Sequence, residues 1–349
     1  MTPVTVLMPV YNGESYLERA IQSILIQTFE NFKFLIVDDG STDSSLDIIN
    51  HYKGKDSRIS VVVNAQNLGL IETLNNGLDA IDTKYVARMD SDDYAMPSRL
   101  EKQVNLMEAN PSIGACGTWI TVNNVAEGSK HIQRYPTQHA EIKIHMLSYC
   151  AVAHPTIMLR KSFFDKYSLR YDPEFIHTED YELWTRAIEK FQFANIAEPL
   201  LDYSIHMENV SSKNETTQLS ISSKIRSKQI SKLVIPKPND ELIVKHLFTD
   251  GLRDISSQKH FIEAQDLLER LVIANKNRKV YDQVLFNHYL FKTWYHLCKK
   301  CQIPEISATK VFIDAKISRH RGYLRFIFLS SKLIYRGIKR ALSSKRKEA

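Results

Sequence analysis

VTVLMPVYNGESYLERAIQSILIQ, residues 4–27, reads as a strand, a turn and a helix. Val4–Val10 is apolar and β-branched, Asn12-Gly13 breaks the run, and Tyr16, Leu17, Ala20, Ile21, Ile24 and Leu25 then recur at helical spacing. The unit repeats downstream. Phe34–Val37 is a second strand that ends in Asp38-Asp39-Gly40-Ser41, with a helix starting at Asp43. Ile59–Val63 is a third, its turn Asn64–Gly69 leading into a helix through Ile81, and Tyr85–Met89 is a fourth. Strands apolar over their whole length and alternating with helices predict an α/β fold, a Rossmann-type, mostly parallel sheet with helices on both faces. Ligands of such sheets bind beyond the carboxyl ends of the strands. The polar residues there are Tyr11, Asn12, Asp39, Asn67 and the acids between Asp90 and Asp93, which are therefore expected on one rim.

The fourth strand opens YVARMDSDDYAMPSRL, Tyr85–Leu100, where Asp90, Asp92 and Asp93 crowd three carboxylates ahead of a helix. Their mutual repulsion has to be offset by a cation or by hydrogen-bond donors. Two readings follow: a site for a hard divalent metal carrying a phosphate ligand, or a solvated acidic turn capping the helix at Ser98. No GxGxxG follows the first strand and no GxxxxGK[ST] occurs, which argues against a dinucleotide dehydrogenase and a P-loop NTPase.

The 349 residues, 43% hydrophobic and 25% charged, suffice for one large domain and a smaller one. The formal charge of +6 is local: Arg319–Ala349 holds ten Lys/Arg against Glu348 alone, a net of +9, which leaves −3 for the rest. That distribution does not suit a nucleic-acid-binding protein. Cys116, Cys150, Cys298 and Cys301 are too few for a disulfide framework, no signal peptide is read before Val4, and reduced thiols in the cytoplasm are expected. Cys298-x-x-Cys301 lies in a helical pattern without a second pair, so a metal role is disfavoured. The long uncharged stretches are interrupted by polar residues, Pro and Gly, and none reads as a membrane span.

From Ile113 to Tyr203 the pattern predicts short, irregular strands and helices. Glu179-Asp180 opens a helix with Tyr181, Leu183, Trp184 and Ala187, where the acids suit the helix N-terminus without any chemistry. Lys213–Ser231 is polar, a linker or exposed helix, and Pro236-Lys237-Pro238 marks a boundary. The expected division is 1–212 catalytic, 213–238 linker, 239–318 helical and 319–349 a basic tail. In the helical part Phe261, Ala264, Leu267, Leu268 and Leu271 share a face, and Phe286, Trp294 and Tyr295 are read as packing core.

PVYNGESYLERAIQSILIQTF from Pro9, IVDDGSTD from Ile36, ARMDSDD from Ala87 and TEDYELWTR from Thr178 together resemble the family 2 glycosyltransferases of the GT-A fold, of the bacterial polysaccharide-assembly type, over roughly 2–212. The resemblance implies an inverting, metal-dependent transferase. It places Pro9, Tyr11 and Asp39, with Glu14 nearby, on the nucleotide base; a carboxylate accepting the uracil imide hydrogen under an aromatic ring suits a UDP-sugar. For Tyr11 and Asp39, strand-end packing and a turn cap with Ser41 remain the plainer readings. The resemblance further implies Asp90 near the ribose, Asn67 in the same nucleotide site, Asp92 and His206 on Mg²⁺ or Mn²⁺, and Asp180 as general base, with Glu179 as the competing acid. His154 would line the same pocket. One departure stands out: relatives carry an arginine in the helix after the third strand, whereas NLGLIETLNNG, residues 67–77, has none. Arg88 or Arg99 would have to supply that charge.

Gly322–Leu342 sets Leu324, Ile327, Phe328, Ile334 and Ile338 against a stripe of Arg325, Lys332, Arg336 and Lys339. This fits a helix on an anionic membrane surface, or a terminal helix packed on protein. The first suits a peripheral enzyme on the inner face of the cell membrane, whose acceptor is a polyprenyl-diphosphate-linked saccharide for capsule, exopolysaccharide or O-antigen. Two other readings are a sugar nucleotidyltransferase, against which the absent glycine-rich phosphate loop after Val10 counts, and a membrane scaffold with a degenerate transferase domain.

Overall fold

The computed structural model describes residues 3–124, 127–205, 215–248 and 258–300. The chain forms two compact units, one of residues up to 146 with 150–222, the other of 147–149 with the chain from 223 onward.

The first unit begins as its sequence directs. β1 (Val4–Val10) is buried at every position, and α1 (Glu14–Leu25) turns Leu17, Ala20, Ile21 and Ile24 into the core. β2 (Phe32–Asp38), α2 (Ser45–Lys53), β3 (Ile59–Val63), α3 (Leu70–Ala80) and β4 (Tyr85–Arg88) follow. β1 runs parallel to β2 and β4, and β2 parallel to β3, with Val10 opposite Asp38 and Asp38 opposite Val63. That register brings the four carboxyl ends to one side. α3 lies close on the sheet because Gly77 has no side chain: a Cβ there would sit 2.5 Å from Leu7 Cδ1.

β3 departs from the expectation of whole-length burial. It ends the sheet, so Val62 and Val63 are exposed despite being apolar. The fourth strand closes at Arg88, and Met89 lies beyond it.

The second half of the unit is more regular than its sequence suggests. After β5 (Tyr94–Ala95) and α4 (Arg99–Ala109) comes β6 (Ile113–Asn124), and later β9 (Gln192–Ile205), strands of 12 and 14 residues paired in parallel. Register shifts around Gly114 and between Thr118 and Thr121 break the two-residue alternation by which a strand is recognised. β7 (Ser129–Gln133), α5 (His139–His145), β8 (Met158–Arg160), α6 (Lys161–Lys166) and α7 (Glu179–Ala187) complete the unit, with 3₁₀ turns at His154–Thr156 and Pro173–Phe175. β8 pairs antiparallel with both β4 and β6, giving one mixed sheet in the order β3-β2-β1-β4-β8-β6-β9-β5, with β7 on β6.

The chain passes into the second unit within α8 (Glu215–Ser231), so much of the expected linker is helix. α9 (Asp240–Leu247), α10 (Gln258–Arg278) and α11 (Gln283–Lys300) follow. Phe261, Ala264, Leu267, Leu268 and Leu271 are buried, and Trp294 packs on Phe261 with ring centroids 4.5 Å apart, a core as expected. Cys298 falls in α11, while Cys301 and the basic tail lie outside the described residues. Among the described residues no helix is long and apolar enough to cross a membrane.

Candidate active site

The carboxyl ends of β1, β2 and β4 open on a cavity of about 670 Å³. Its floor begins with two loops that hold each other. Asn12 has a left-handed backbone, φ 50°, and turns its amide toward the loop after β2, where Asn12 Oδ1 accepts from Thr42 N–H at 2.8 Å. In return Asn12 N–H donates to Ser41 Oγ, Gly13 N–H to Ser45 Oγ and Glu14 N–H to Asp43 Oδ2, at 2.8–3.0 Å. The N–H groups of Asn12, Gly13 and Glu14, which lead into α1 and open it, are thus satisfied by side chains of residues 41–45. Asp43 serves as a cap there, and the helix it was expected to start begins two residues later.

Pro9, Tyr11, Asp39 and Asn67 line this end of the cavity. Tyr11 leaves half its surface open, 49%. Asp39 is buried, and its carboxylate accepts from Leu68 N–H and Gly69 N–H at 2.9 Å each and from Asn64 Nδ2 at 2.8 Å. Three of about four lone-pair positions are therefore taken and one is left for a ligand donor. Glu14 does not line the cavity: its Oε2 accepts from Ser44 N–H at 2.9 Å.

At the centre, oxygens of Asp90, Asp92 and Asp93 all lie within 4.8 Å of one another. Arg88, buried at the end of β4, pairs with Asp90, with Nη1 to Oδ2 at 2.6 Å. Ser204 N–H donates to Asp93 Oδ1 at 3.1 Å, whereas the buried Asp93 Oδ2 has no hydrogen-bond partner among the described residues. Burial pushes Asp90 up to about 6 against the pull of Arg88, and burial together with Asp90 and Asp92 pushes Asp93 well up. Three carboxylates at this spacing with one buried oxygen unpaired form a donor set that fits a hard divalent cation. Arg88 reaches the cavity, while Arg99 is buried behind it, donating to Arg88 O at 2.5 Å. Of the two arginines weighed as replacements for the missing one, only Arg88 lines the site. His206, the other expected metal ligand, lies outside the described residues.

The far wall comes from the second half of the unit. α7 presents Glu179 and Asp180 to the cavity from its first turn. Asp180 Oδ1 accepts from Tyr181 N–H at 2.6 Å and Oδ2 from Cys150 Sγ at 3.3 Å. Burial pushes Asp180 up, and burial plus the neighbouring Asp180 charge pushes Glu179 up to about 7. Both acids are therefore stronger bases than a solvated carboxylate. His154 also lines the cavity; its Nε2 lies 2.9 Å from Tyr171 Oη, and burial holds it well below the ordinary histidine range. Tyr135, Tyr203 and Cys150 complete the wall. Sequence reasoning missed these three, because no helical or strand period points them to one place: Tyr203 is on β9, Tyr135 follows β7, and Cys150 lies in the loop before His154–Thr156.

Residues 5–168 match the family model described as Glycosyl transferase family 2. An uncharacterized glycosyltransferase of Haemophilus influenzae is 31% identical over 82% of this chain and 85% of its own length. The Escherichia coli UDP-Glc:alpha-D-GlcNAc-diphosphoundecaprenol beta-1,3-glucosyltransferase WfgD is 28% identical over 52% of this chain and 68% of its own. Among solved structures, S. aureus TarS 1-349 in complex with UDP-GlcNAc superposes with a TM-score of 0.57 at 17% identity, covering 93% of this chain and 92% of that one, which shows a shared GT-A fold. The extent of the Haemophilus match and the family model together settle the family: the chain belongs to glycosyl transferase family 2.

Proposed function

We propose that the enzyme moves a sugar from a UDP-sugar to a hydroxyl of a lipid-linked saccharide, with inversion at the anomeric carbon. The observation that carries this reading is that Asp39, Asp90, Asp92 and Asp180 line one cavity. The uracil imide N–H donates to the remaining lone pair of Asp39, and the Tyr11 ring covers the base. Pro9 and Asn67 border the same pocket, and Asp90 receives the ribose hydroxyls. A Mg²⁺ or Mn²⁺ ion held by Asp92 and its neighbours would offset the charge that collects on the departing diphosphate.

Asp180 accepts the proton of the acceptor hydroxyl while that oxygen bonds to the anomeric carbon. The bond from that carbon to the diphosphate oxygen breaks with its electron pair, and UDP leaves. Attack from the face opposite UDP gives inversion in one displacement. WfgD, whose name states a UDP-sugar donor and a diphosphoundecaprenol acceptor, supports both substrate classes, and the UDP-GlcNAc bound to TarS supports the donor class.

The test is incubation with UDP-glucose and UDP-GlcNAc, Mn²⁺ and a polyprenyl-diphosphate-linked GlcNAc acceptor, read by mass spectrometry and by NMR of the new anomeric centre. One added sugar with inverted configuration is expected. Retained configuration would remove the single-displacement mechanism, and transfer from GDP- or dTDP-sugars alone would remove the uridine assignment.

A further inference from the structure

We propose that Cys150 is a positioning residue for the reaction, its thiol fixing the carboxylate of Asp180 that receives the acceptor proton. The inference rests on the reading of Asp180 as the base. Cys150 lies in the loop ahead of the 3₁₀ turn His154–Thr156, lines the cavity and places Sγ 3.3 Å from Asp180 Oδ2. Tyr181 N–H holds the other oxygen at 2.6 Å. With one donor on each oxygen, rotation about the terminal torsion of Asp180, otherwise soft, is restrained, and the free lone pair of Oδ2 keeps one direction. Such alignment is what a base needs to meet an acceptor hydroxyl in line.

The type of donor matters as well as its place. Val152 O also lies 3.3 Å from Sγ, so a single S–H proton faces two acceptors. A thiol is already a weak donor. Asp180 is thus oriented without the loss of basicity that a strong donor to the charged form would cause. The thiol must stay protonated to do this, and burial, with the Asp180 charge second, keeps it so by pushing its titration well up. The charged and titratable groups around Asp180 are Glu179 beside it, Cys150, Arg88 from the end of β4, and Tyr171 from the loop before Pro173–Phe175; Asp90 acts on Glu179. Of these, Cys150 is the one that Asp180 touches through a side-chain hydrogen bond.

The test uses the whole chain with Mn²⁺ and a saturating polyprenyl-diphosphate-linked GlcNAc acceptor and follows UDP release from UDP-glucose and UDP-GlcNAc as a function of pH, in wild type, Cys150→Ala and Cys150→Ser. Losing the donor should lower kcat about tenfold with KM for the UDP-sugar unchanged, and move the acid limb to higher pH. The hydroxyl of Cys150→Ser, a stronger donor, should move that limb below wild type while restoring part of the rate. Acid limbs that coincide in all three proteins would overturn the proposal and leave Asp180 as base. A second arm reads the contact without turnover: alkylation of Cys150 by iodoacetamide at pH 8, followed by peptide mass spectrometry. Asp180→Asn removes the charge that adds to burial in keeping the thiol protonated, together with the acceptor of its hydrogen bond, and should speed alkylation severalfold; an unchanged rate would overturn the contact. If wild type releases no UDP from either donor, the parent reading fails and the role of Cys150 fails with it, whatever the alkylation shows.

Discussion

Glu179 and Asp180 stand side by side in the first turn of α7, where the helix dipole favours anions. Burial works against that help and wins: Glu179 is pushed up to about 7, first by desolvation and then by Asp180. Two measurements separate the acids. Asp180→Asn is expected to lower kcat by about 10²–10⁴ while calorimetric affinity for UDP stays at wild-type level; a variant that turns over normally with acceptor would move the base to Glu179. Glu179→Gln bears on stability. A carboxyl raised from 4.5 to about 7 contributes stability that is complete below its unfolded value and is lost as pH rises through 7. The permanently neutral amide should therefore raise Tm at pH 8 by roughly 2–4 °C per kcal/mol recovered, with the gain shrinking toward pH 5. A Tm difference independent of pH would contradict this.

At the scale of elements, the nucleotide end of the cavity depends on how closely the loop after β2 lies against residues 64–69. Gly40 has φ +70°, and a Cβ there would meet Gln66 C at 2.7 Å and Asn67 N at 2.8 Å. Both backbone conformation and space demand glycine. Gly40→Ala should displace the strip whose Leu68 and Gly69 amides hold Asp39, costing ~1–3 kcal/mol of stability and weakening UDP binding at least tenfold; unaltered binding would show that Asp39 is held otherwise. β1, β2, β4 and the rim residues were legible in the sequence because these strands are buried as in a parallel sheet covered on both faces, so uninterrupted apolar runs mark the strands and polar residues mark their ends, and β3, though it lies at the edge, carries the same apolar run. Glu14, expected near the base through the resemblance, instead turns its carboxylate onto Ser44 N–H. β6 and β9 stayed hidden behind register shifts, and with them Tyr203, while Tyr135 and Cys150 sit in connections that carry no period. Asp180 was legible only through a resemblance, since a helix cap alone accounts for acids at that position.

On the scale of the whole molecule, the chain joins a GT-A unit to a helical unit with its own core of Phe261, Leu267, Leu268 and Trp294. We propose that Arg319–Ala349, with ten cations against one acid, attaches the enzyme to an anionic bilayer, where a polyprenyl-linked acceptor resides. Deleting residues 319–349 is expected to abolish flotation with liposomes containing anionic lipid while UDP binding persists. Flotation equal to that of the full chain would take the membrane role from the tail.

The site as a whole stands or falls on UDP binding. Calorimetric titration of the 349-residue chain with UDP in Mn²⁺ and again in EDTA, alongside GDP and dTDP, addresses it directly. Binding that prefers UDP, requires Mn²⁺ and is lost in Asp92→Asn is the expected result. Equal affinity with and without the metal, or no nucleotide binding in any condition, would contradict the assignment of Asp39 to the base and of the Asp90–Asp93 acids to the diphosphate metal.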